Sequence, residues 1–192
     1  MLVTGRKLPI GIQTFEDIRN DGYLYVDKTA LMWTIANIGK PFFLSRPRRF
    51  GKGLLISTFE VYFKGRRELF TGLAVEELEK KWEEHPVLHL DLNARKYTTP
   101  ADLDAILNQH LERWEAVYGE EKRDRASEER FAYVIRRASE QTGKGVVVLV
   151  DEYDKPLLQA IQNEPLLDSY RSTLKAFYGV LKSADRYLRF AF

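Results

Sequence analysis

A run of aliphatic residues from Val146 to Val150 constrains the fold more than any other feature of this sequence. A strand with no polar residue on either face is typical of a parallel sheet that is covered on both sides. Asp151 and Glu152 follow the run directly. The pattern therefore predicts a layered α/β domain in which two carboxylates lie at the carboxyl end of a central strand.

Short apolar runs alternate with amphipathic segments along the rest of the chain, which is the pattern of an α/β fold. A helix with Asp27 as its N-cap is expected to carry Leu31, Ile35 and Ile38 on one face and to end at Gly39, and Thr99-Pro100 predicts the start of another helix. Further helices are predicted over 52–63 and 127–142, and strands over 23–26, 41–45, 87–92 and 187–192. We expect a three-layer sandwich with a mostly parallel central sheet.

The segment 45–53 lies between the predicted strand 41–45 and the predicted helix 52–63. A loop in this place can present backbone N–H groups and the helix dipole to phosphates, as in P-loop NTPases. Gly51 would permit close approach of the backbone, and Lys52 would reach the β- and γ-phosphates. The predicted nucleotide-binding residues are Arg48, Arg49, Phe50, Gly51, Lys52, Gly53 and Leu54.

The match to the phosphate-loop consensus G-x-x-x-x-G-K-[ST] is incomplete. Arg46 occupies the position of the first glycine, and Gly53 stands where a Ser or Thr hydroxyl would bind Mg²⁺. Water could replace the missing hydroxyl, so we expect a weakened Mg²⁺ site or slow turnover. The alternative from the loop alone is a solvated basic turn followed by a flexible connector.

The acidic strand end favours the phosphate-site interpretation. Asp151 is predicted to bind the metal, and Glu152 to orient and deprotonate the attacking water, with Lys52 as the second catalytic residue. Asp91 could face the same crevice, although a cap for the following turn is the favoured interpretation. His110 lies on an apolar helix face, which favours a packed histidine over a metal ligand.

Composition adds mainly exclusions. Thirty basic and 28 acidic side chains give a net charge of +2, which does not support binding to nucleic acid or membranes by bulk attraction. The absence of cysteine excludes disulfides and thiolate chemistry. No signal peptide or membrane span is evident, so a cytoplasmic protein is expected.

Four stretches of the sequence resemble the predicted AAA-ATPase-like family: Leu8 to Ile12, Tyr23 to Thr29, Phe43 to Lys52 and Leu149 to Pro156. The resemblance implies ATP and Mg²⁺ as cofactors. It also implies that 1–192 is one ATPase-like domain with an N-terminal extension, 1–40, containing a short strand and a helix. The family pattern usually reads Gly-Lys-Ser, so Gly53 is a departure, whereas Arg46 is as the family has it.

Proteins of that family carry a C-terminal PD-(D/E)-x-K nuclease-like domain in the full-length chain. Because this sequence stops at a predicted strand, we expect it to be truncated before the sensor region and that domain. The expected function is ATP binding and hydrolysis coupled to a partner or nuclease-like domain, through which nucleic acid would be contacted. The alternative is a degenerate, non-hydrolysing adaptor that binds nucleotide, protein or nucleic acid. No membrane partner is expected, and an oligomer is left open.

Overall fold

The computed structural model describes residues 5–39, 41–45, 50–120 and 124–192. Strands β1 (Val87–Asp91), β2 (Val146–Asp151) and β3 (Leu188–Ala191) form a parallel sheet in the order β1-β2-β3. The predicted α/β class with a parallel sheet is confirmed, and the aliphatic run is its central strand. Asp91 pairs with Asp151 in the register of β1 and β2, so both carboxylates lie at one edge of the sheet. We call this the carboxyl edge.

The helices follow the sequence pattern closely where the hydrophobic periodicity is strong. The predicted boundaries of the helices over 52–63 and 127–142 are confirmed, and Pro100 begins a helix that a Thr99–Asp102 capping box opens. The helices are α1 (Phe15–Asn20), α2 (Thr29–Ile38), α3 (Lys52–Phe63), α4 (Val75–Leu78), α5 (Pro100–Tyr118), α6 (Ser127–Thr142), α7 (Lys155–Gln159) and α8 (Glu164–Ser183).

Helices cover both faces of the sheet. Val146 and Val148 point to one face, where α5, α6 and α8 pack over them, whereas Val147 and Leu149 point to the other, beneath α2 and α3. Because successive side chains of a strand alternate between faces, a strand covered on both sides must be apolar throughout. The two buried clusters therefore make three layers of helix, sheet and helix.

Two predicted strands are absent from the described sheet. Residues 41–45 form no strand; the Phe42 N–H donates to the Ala191 carbonyl of β3 at 2.8 Å, and Phe43 is 66% exposed. Residues 23–26 form no ladder either, because the Tyr25 ring packs against Phe15, with centroids 5.0 Å apart, instead of joining the sheet. Apolar character in these two segments therefore did not indicate strand pairing.

The buried face of α2 differs from the prediction. Lys28, rather than the expected Asp27, is the N-cap residue, although the Asp27 carboxylate still accepts from the Thr29 N–H at 2.8 Å. The helix buries Thr29, Met32 and Ala36, however, and leaves Leu31 and Ile38 exposed at 56% and 72%. Apolar residues lie on several faces of this helix, so periodicity alone could not choose the buried one.

Gly145, directly before β2, is a position where the packing forbids a side chain. A Cβ built there would lie 2.9 Å from both the Cβ and the backbone nitrogen of Arg189. We expect Gly145→Ala to lower the free energy of unfolding by about 1–3 kcal/mol, since backbone must move to relieve the clash. Urea unfolding followed by circular dichroism measures the change.

Gly179→Ala in α8 is the matched control for Gly145→Ala. No heavy atom lies within 4 Å of a Cβ at Gly179, so alanine should leave stability unchanged or raise it by up to about 1 kcal/mol. Equal effects of the two substitutions would contradict the packing account of Gly145.

Candidate functional site

The turn that leads into α3 depends on Gly51. Its backbone has φ 77° and ψ 21°, in the left-handed region that glycine adopts without steric cost. Lys52 is the first residue of α3, so the first backbone N–H groups of a 12-residue helix point out of this turn. An anion placed there would meet the N–H donors of the first helical turn and the positive end of the helix dipole.

The beginning of α3 lies against the end of β2. A Cβ built on Gly53 would be 3.7 Å from Asp151 Oδ2 and 3.1 Å from Gln13 Oε1. The beginning of α3 and the acidic strand end, which are far apart in the sequence, therefore meet at one place. Position 53, which carries a hydroxyl in the loop consensus, is the position that faces the aspartate.

The backbone at the end of β2 fixes the orientation of Asp151. The Glu152 N–H donates to Asp151 Oδ1 at 2.9 Å, so the other carboxylate oxygen, Oδ2, is the one directed toward Gly53. Glu152 itself has φ 51°, an uncommon conformation for a residue with a side chain. Strained backbone of this kind is concentrated at functional sites.

Lys52 and Glu152 are both half-buried at this edge. Within the ranges that the structure describes, no carboxylate forms an ion pair with Lys52. Its ammonium group therefore has no competing partner there and is available to a ligand.

Arg46, Arg48 and Arg49 lie outside the described residues. Among the other predicted binding residues, Phe50 is exposed directly before Gly51, and Leu54 is half-buried in the first turn of α3.

The neighbouring strand end has a structural use. Asp91 Oδ1 accepts from the Asn93 N–H at 2.7 Å, as expected for a cap of the following turn. Lys155 Nζ donates to the side-chain oxygen of Asn93 at 2.9 Å and also to its carbonyl oxygen. These contacts tie the loops after β1 and β2 together and leave Asp151 as the strand-end carboxylate that faces α3.

His110 is a packed residue rather than a metal ligand. Its ring is buried, its Nε2 is 3.0 Å from the Asp91 carbonyl oxygen, and burial lowers its pKa. His89 contacts Glu60 of α3, with Nδ1 3.0 Å from Oε2, and this hydrogen bond lowers the pKa of Glu60 to about 2. His110 thus connects α5 to β1, and His89 connects β1 to α3.

The oxygen atoms around position 53 suit Mg²⁺. This ion prefers oxygen ligands and is usually bound through one or two protein groups, with substrate phosphates and water completing the octahedron. Asp151 Oδ2 and Gln13 Oε1 are such groups. The described part of the chain has no cluster of three or more His, Cys, Asp or Glu side chains that could hold a metal. The donor set therefore fits a magnesium ion that arrives with a phosphate ligand.

An apolar cavity of about 310 Å³ lies beside Gly51 and was not predicted from the sequence. Its volume is at the low end of the range of about 300–1,000 Å³ found for small-molecule pockets. Four of its large apolar side chains, Leu8, Val26, Leu31 and Phe50, are exposed, as at a surface where a ligand binds. The rest of the lining comes from the residues before α2, from α2, from the segment 41–45 and from α3, and it includes Tyr25, Ile35, Leu44, Leu54, Leu55 and Thr58.

A second cavity, of about 380 Å³, lies at the opposite edge of the sheet, near the beginning of β3. Its polar groups already bond to one another, since Glu79 Oε2 accepts from Tyr62 Oη at 2.5 Å and from Trp33 Nε1 at 3.2 Å. Ligands of parallel α/β sheets bind at the carboxyl ends of the strands. The cavity beside Gly51 is therefore the better candidate.

Comparison with known proteins identifies the family. A model of the family described as "Predicted AAA-ATPase" matches residues 9–192, so the chain belongs to that family. The chain is also 40% identical over 187 residues to "Uncharacterized protein in vnfD 5'region" of Azotobacter chroococcum mcd 1. That match covers 97% of this chain but only 36% of the relative. No solved structure is significantly similar.

No helix within the described ranges is long and apolar enough to cross a membrane.

Proposed function

We propose that the chain is an ATP-binding module with its triphosphate site at the N-terminus of α3. The observation that supports this most directly is the position of Gly53 against Asp151, with Oδ2 3.7 Å from the place of a Cβ. In this arrangement the N–H groups of the loop and of α3 bind the phosphates, and Lys52 contacts the β- and γ-phosphate oxygens. Asp151 holds Mg²⁺, and the family membership supports the same cofactors.

The apolar cavity beside Gly51 is proposed to bind the nucleobase. A base has two apolar faces, and Leu31 and Phe50 offer exposed apolar surface next to the phosphate loop. The remaining polar part of the nucleotide then runs from this cavity to the beginning of α3. This division of apolar and charged surface matches the chemistry of a nucleoside triphosphate.

ATP hydrolysis is proposed as the reaction. When bound, Mg²⁺ supplies charge neutralisation at the phosphate oxygens. Glu152 accepts a proton from the attacking water, which adds its oxygen to the γ-phosphorus while the bond to the β-γ bridging oxygen breaks. Lys52 stabilises the negative charge that develops on the leaving diphosphate.

Coupling of this reaction to further domains is also a proposal. The chain spans 36% of the length of its A. chroococcum relative, so a longer protein has room for a partner or nuclease-like domain that ATP turnover would drive. Gly53 favours the second candidate function, a non-hydrolysing nucleotide-binding adaptor, because the usual hydroxyl ligand is missing.

Binding of a fluorescent ATP analogue tests the proposed nucleobase position. We expect Leu31→Gln to weaken binding about fivefold, since roughly 1 kcal/mol of apolar contact is lost. Competition with unlabelled ATP and with inorganic tripolyphosphate separates the two parts of the site. The substitution should weaken ATP and leave tripolyphosphate unchanged.

Ile38→Gln is the control, because Ile38 is exposed on the same helix and does not line the cavity. Its affinity for ATP should equal that of the unmodified chain. Equal losses in both variants would contradict the nucleobase position. A folded, unmodified chain that binds neither ATP nor tripolyphosphate would overturn the proposed function.

A further inference from the structure

We propose that the side-chain oxygen of Gln13 replaces the hydroxyl that is missing at position 53 and acts as a Mg²⁺ ligand beside Asp151. The inference rests on the proposed nucleotide site and assigns its metal shell. With this assignment, a glycine at position 53 removes the hydroxyl but leaves an oxygen ligand for Mg²⁺ in its place.

The geometry around Gly53 brings both oxygens within 4 Å of the Cβ position of residue 53. Gln13 Oε1 is 3.1 Å from the Cβ position of residue 53, so it lies in tight contact with the place that a serine side chain would take. Asp151 Oδ2 is 3.7 Å from that same position. An amide oxygen is a neutral, hard donor, as a hydroxyl oxygen is, and both suit Mg²⁺.

The segment that carries Gln13 is fixed to α3 close to this point. The Phe15 N–H donates to Ser57 Oγ at 2.9 Å, and Ser57 lies one helical turn after Gly53, on the same face of α3. Phe15 is fully buried, with its ring 5.0 Å from those of Tyr25 and Phe70. Gln13, two residues earlier, is thereby held over Gly53.

The amide of Gln13 is available for a ligand. Its side chain is exposed and makes no hydrogen bond to any residue that the structure describes. A glycine at position 53 is what permits this placement, since a Cβ there would meet Oε1 at 3.1 Å. The small size of Gly53 therefore leaves room for the side-chain amide of Gln13.

Titration calorimetry with the non-hydrolysable analogue AMPPNP, in Mg²⁺ and in EDTA, tests the assignment. The measured quantity is the ratio of the two affinities. We expect Gln13→Ala to lower this ratio about tenfold, as loss of a group that supports a metal does, while affinity in EDTA stays unchanged. Electron paramagnetic resonance of Mn²⁺ in the nucleotide complex reports the same loss through the metal itself.

Restoration of the hydroxyl provides the second variant. Gln13→Ala combined with Gly53→Ser should recover the Mg²⁺ dependence, because serine then supplies the oxygen beside Asp151. Ile10→Ala, at an 88% exposed position of the same segment, is the matched control and should leave both affinities unchanged.

The outcomes separate this assignment from the nucleotide site itself. AMPPNP binding that is strengthened by Mg²⁺ equally in the unmodified chain and in Gln13→Ala would overturn the role of Gln13 and leave the site standing. An equal loss with and without metal would also overturn it, since Gln13 would then act on the nucleotide. Failure of the unmodified chain to bind AMPPNP under either condition would refute both proposals.

Discussion

Lys52→Ala is expected to weaken ATP binding about 10- to 150-fold, which corresponds to the roughly 1.5–3 kcal/mol of a hydrogen bond to a charged group. Lys52 begins α3, and within the described ranges its ammonium has no carboxylate partner. Its removal is therefore expected to take away the proposed phosphate contact without breaking an ion pair within those ranges. Calorimetry in Mg²⁺ at a fixed ionic strength measures the loss, since salt screens such contacts.

Lys64→Ala removes the same charge from the other end of α3 and is the matched control. Lys64 is paired with Glu60, its Nζ 2.6 Å from Oε1, and lies three turns from the phosphate loop. We expect its affinity for ATP to change less than about twofold, because exposed charges at this distance are largely screened. Similar losses in both variants would show that net charge, rather than a contact from Lys52, controls binding.

The parts of the fold that the sequence predicts well are those with strong periodicity. The aliphatic run of β2 has one physical explanation, burial on both faces, and the structure places it at the centre of the sheet. The helices α3 and α6 have glycines at their ends, Gly51 and Gly143, both with left-handed backbone. An aliphatic run and a glycine at a helix end are local signals, so a short stretch of sequence is enough to recognise them.

The approach of Gly53 to Asp151 could also be anticipated, because it follows from topology. The sequence predicts one strand before the helix 52–63 and another that ends at Asp151. If the two strands are parallel, the start of the helix and the carboxylate lie at the same edge of the sheet. The predicted strand over 41–45 is not required for this, since α3 packs on β2 directly through buried residues such as Phe59.

The remaining features depend on tertiary contacts that no local pattern contains. Apolar residues lie on several faces of α2, and packing against the rest of the domain decides that Met32 is buried and Leu31 lines the cavity. Gln13 is an exposed polar residue in an irregular segment, and its position over Gly53 depends on tertiary contacts of Phe15, which is buried and bonded to Ser57.

Glu152→Gln is expected to lower the single-turnover rate of ATP hydrolysis by about 10²–10⁴-fold while ATP affinity stays within about twofold. Glutamine has nearly the same shape but cannot accept the proton of the attacking water. The backbone N–H of residue 152 can still donate to Asp151 Oδ1, so the carboxylate that is proposed to bind Mg²⁺ keeps its orientation. Quenched-flow measurement of phosphate release, with calorimetry of AMPPNP binding, separates the chemical step from binding.

Asp154→Asn tests whether loss of any acid in this turn has the same effect. Asp154 precedes α7, and its side chain makes no capping hydrogen bond. The rate of ATP hydrolysis by this variant should lie within about threefold of that of the unmodified chain, because Asp154 is not the proposed proton acceptor. Hydrolysis by Glu152→Gln at the unmodified rate would exclude Glu152 as the base. An unmodified chain that binds Mg²⁺ and ATP but releases no phosphate would instead establish the adaptor function, with Gln13 and Asp151 serving metal-dependent binding alone.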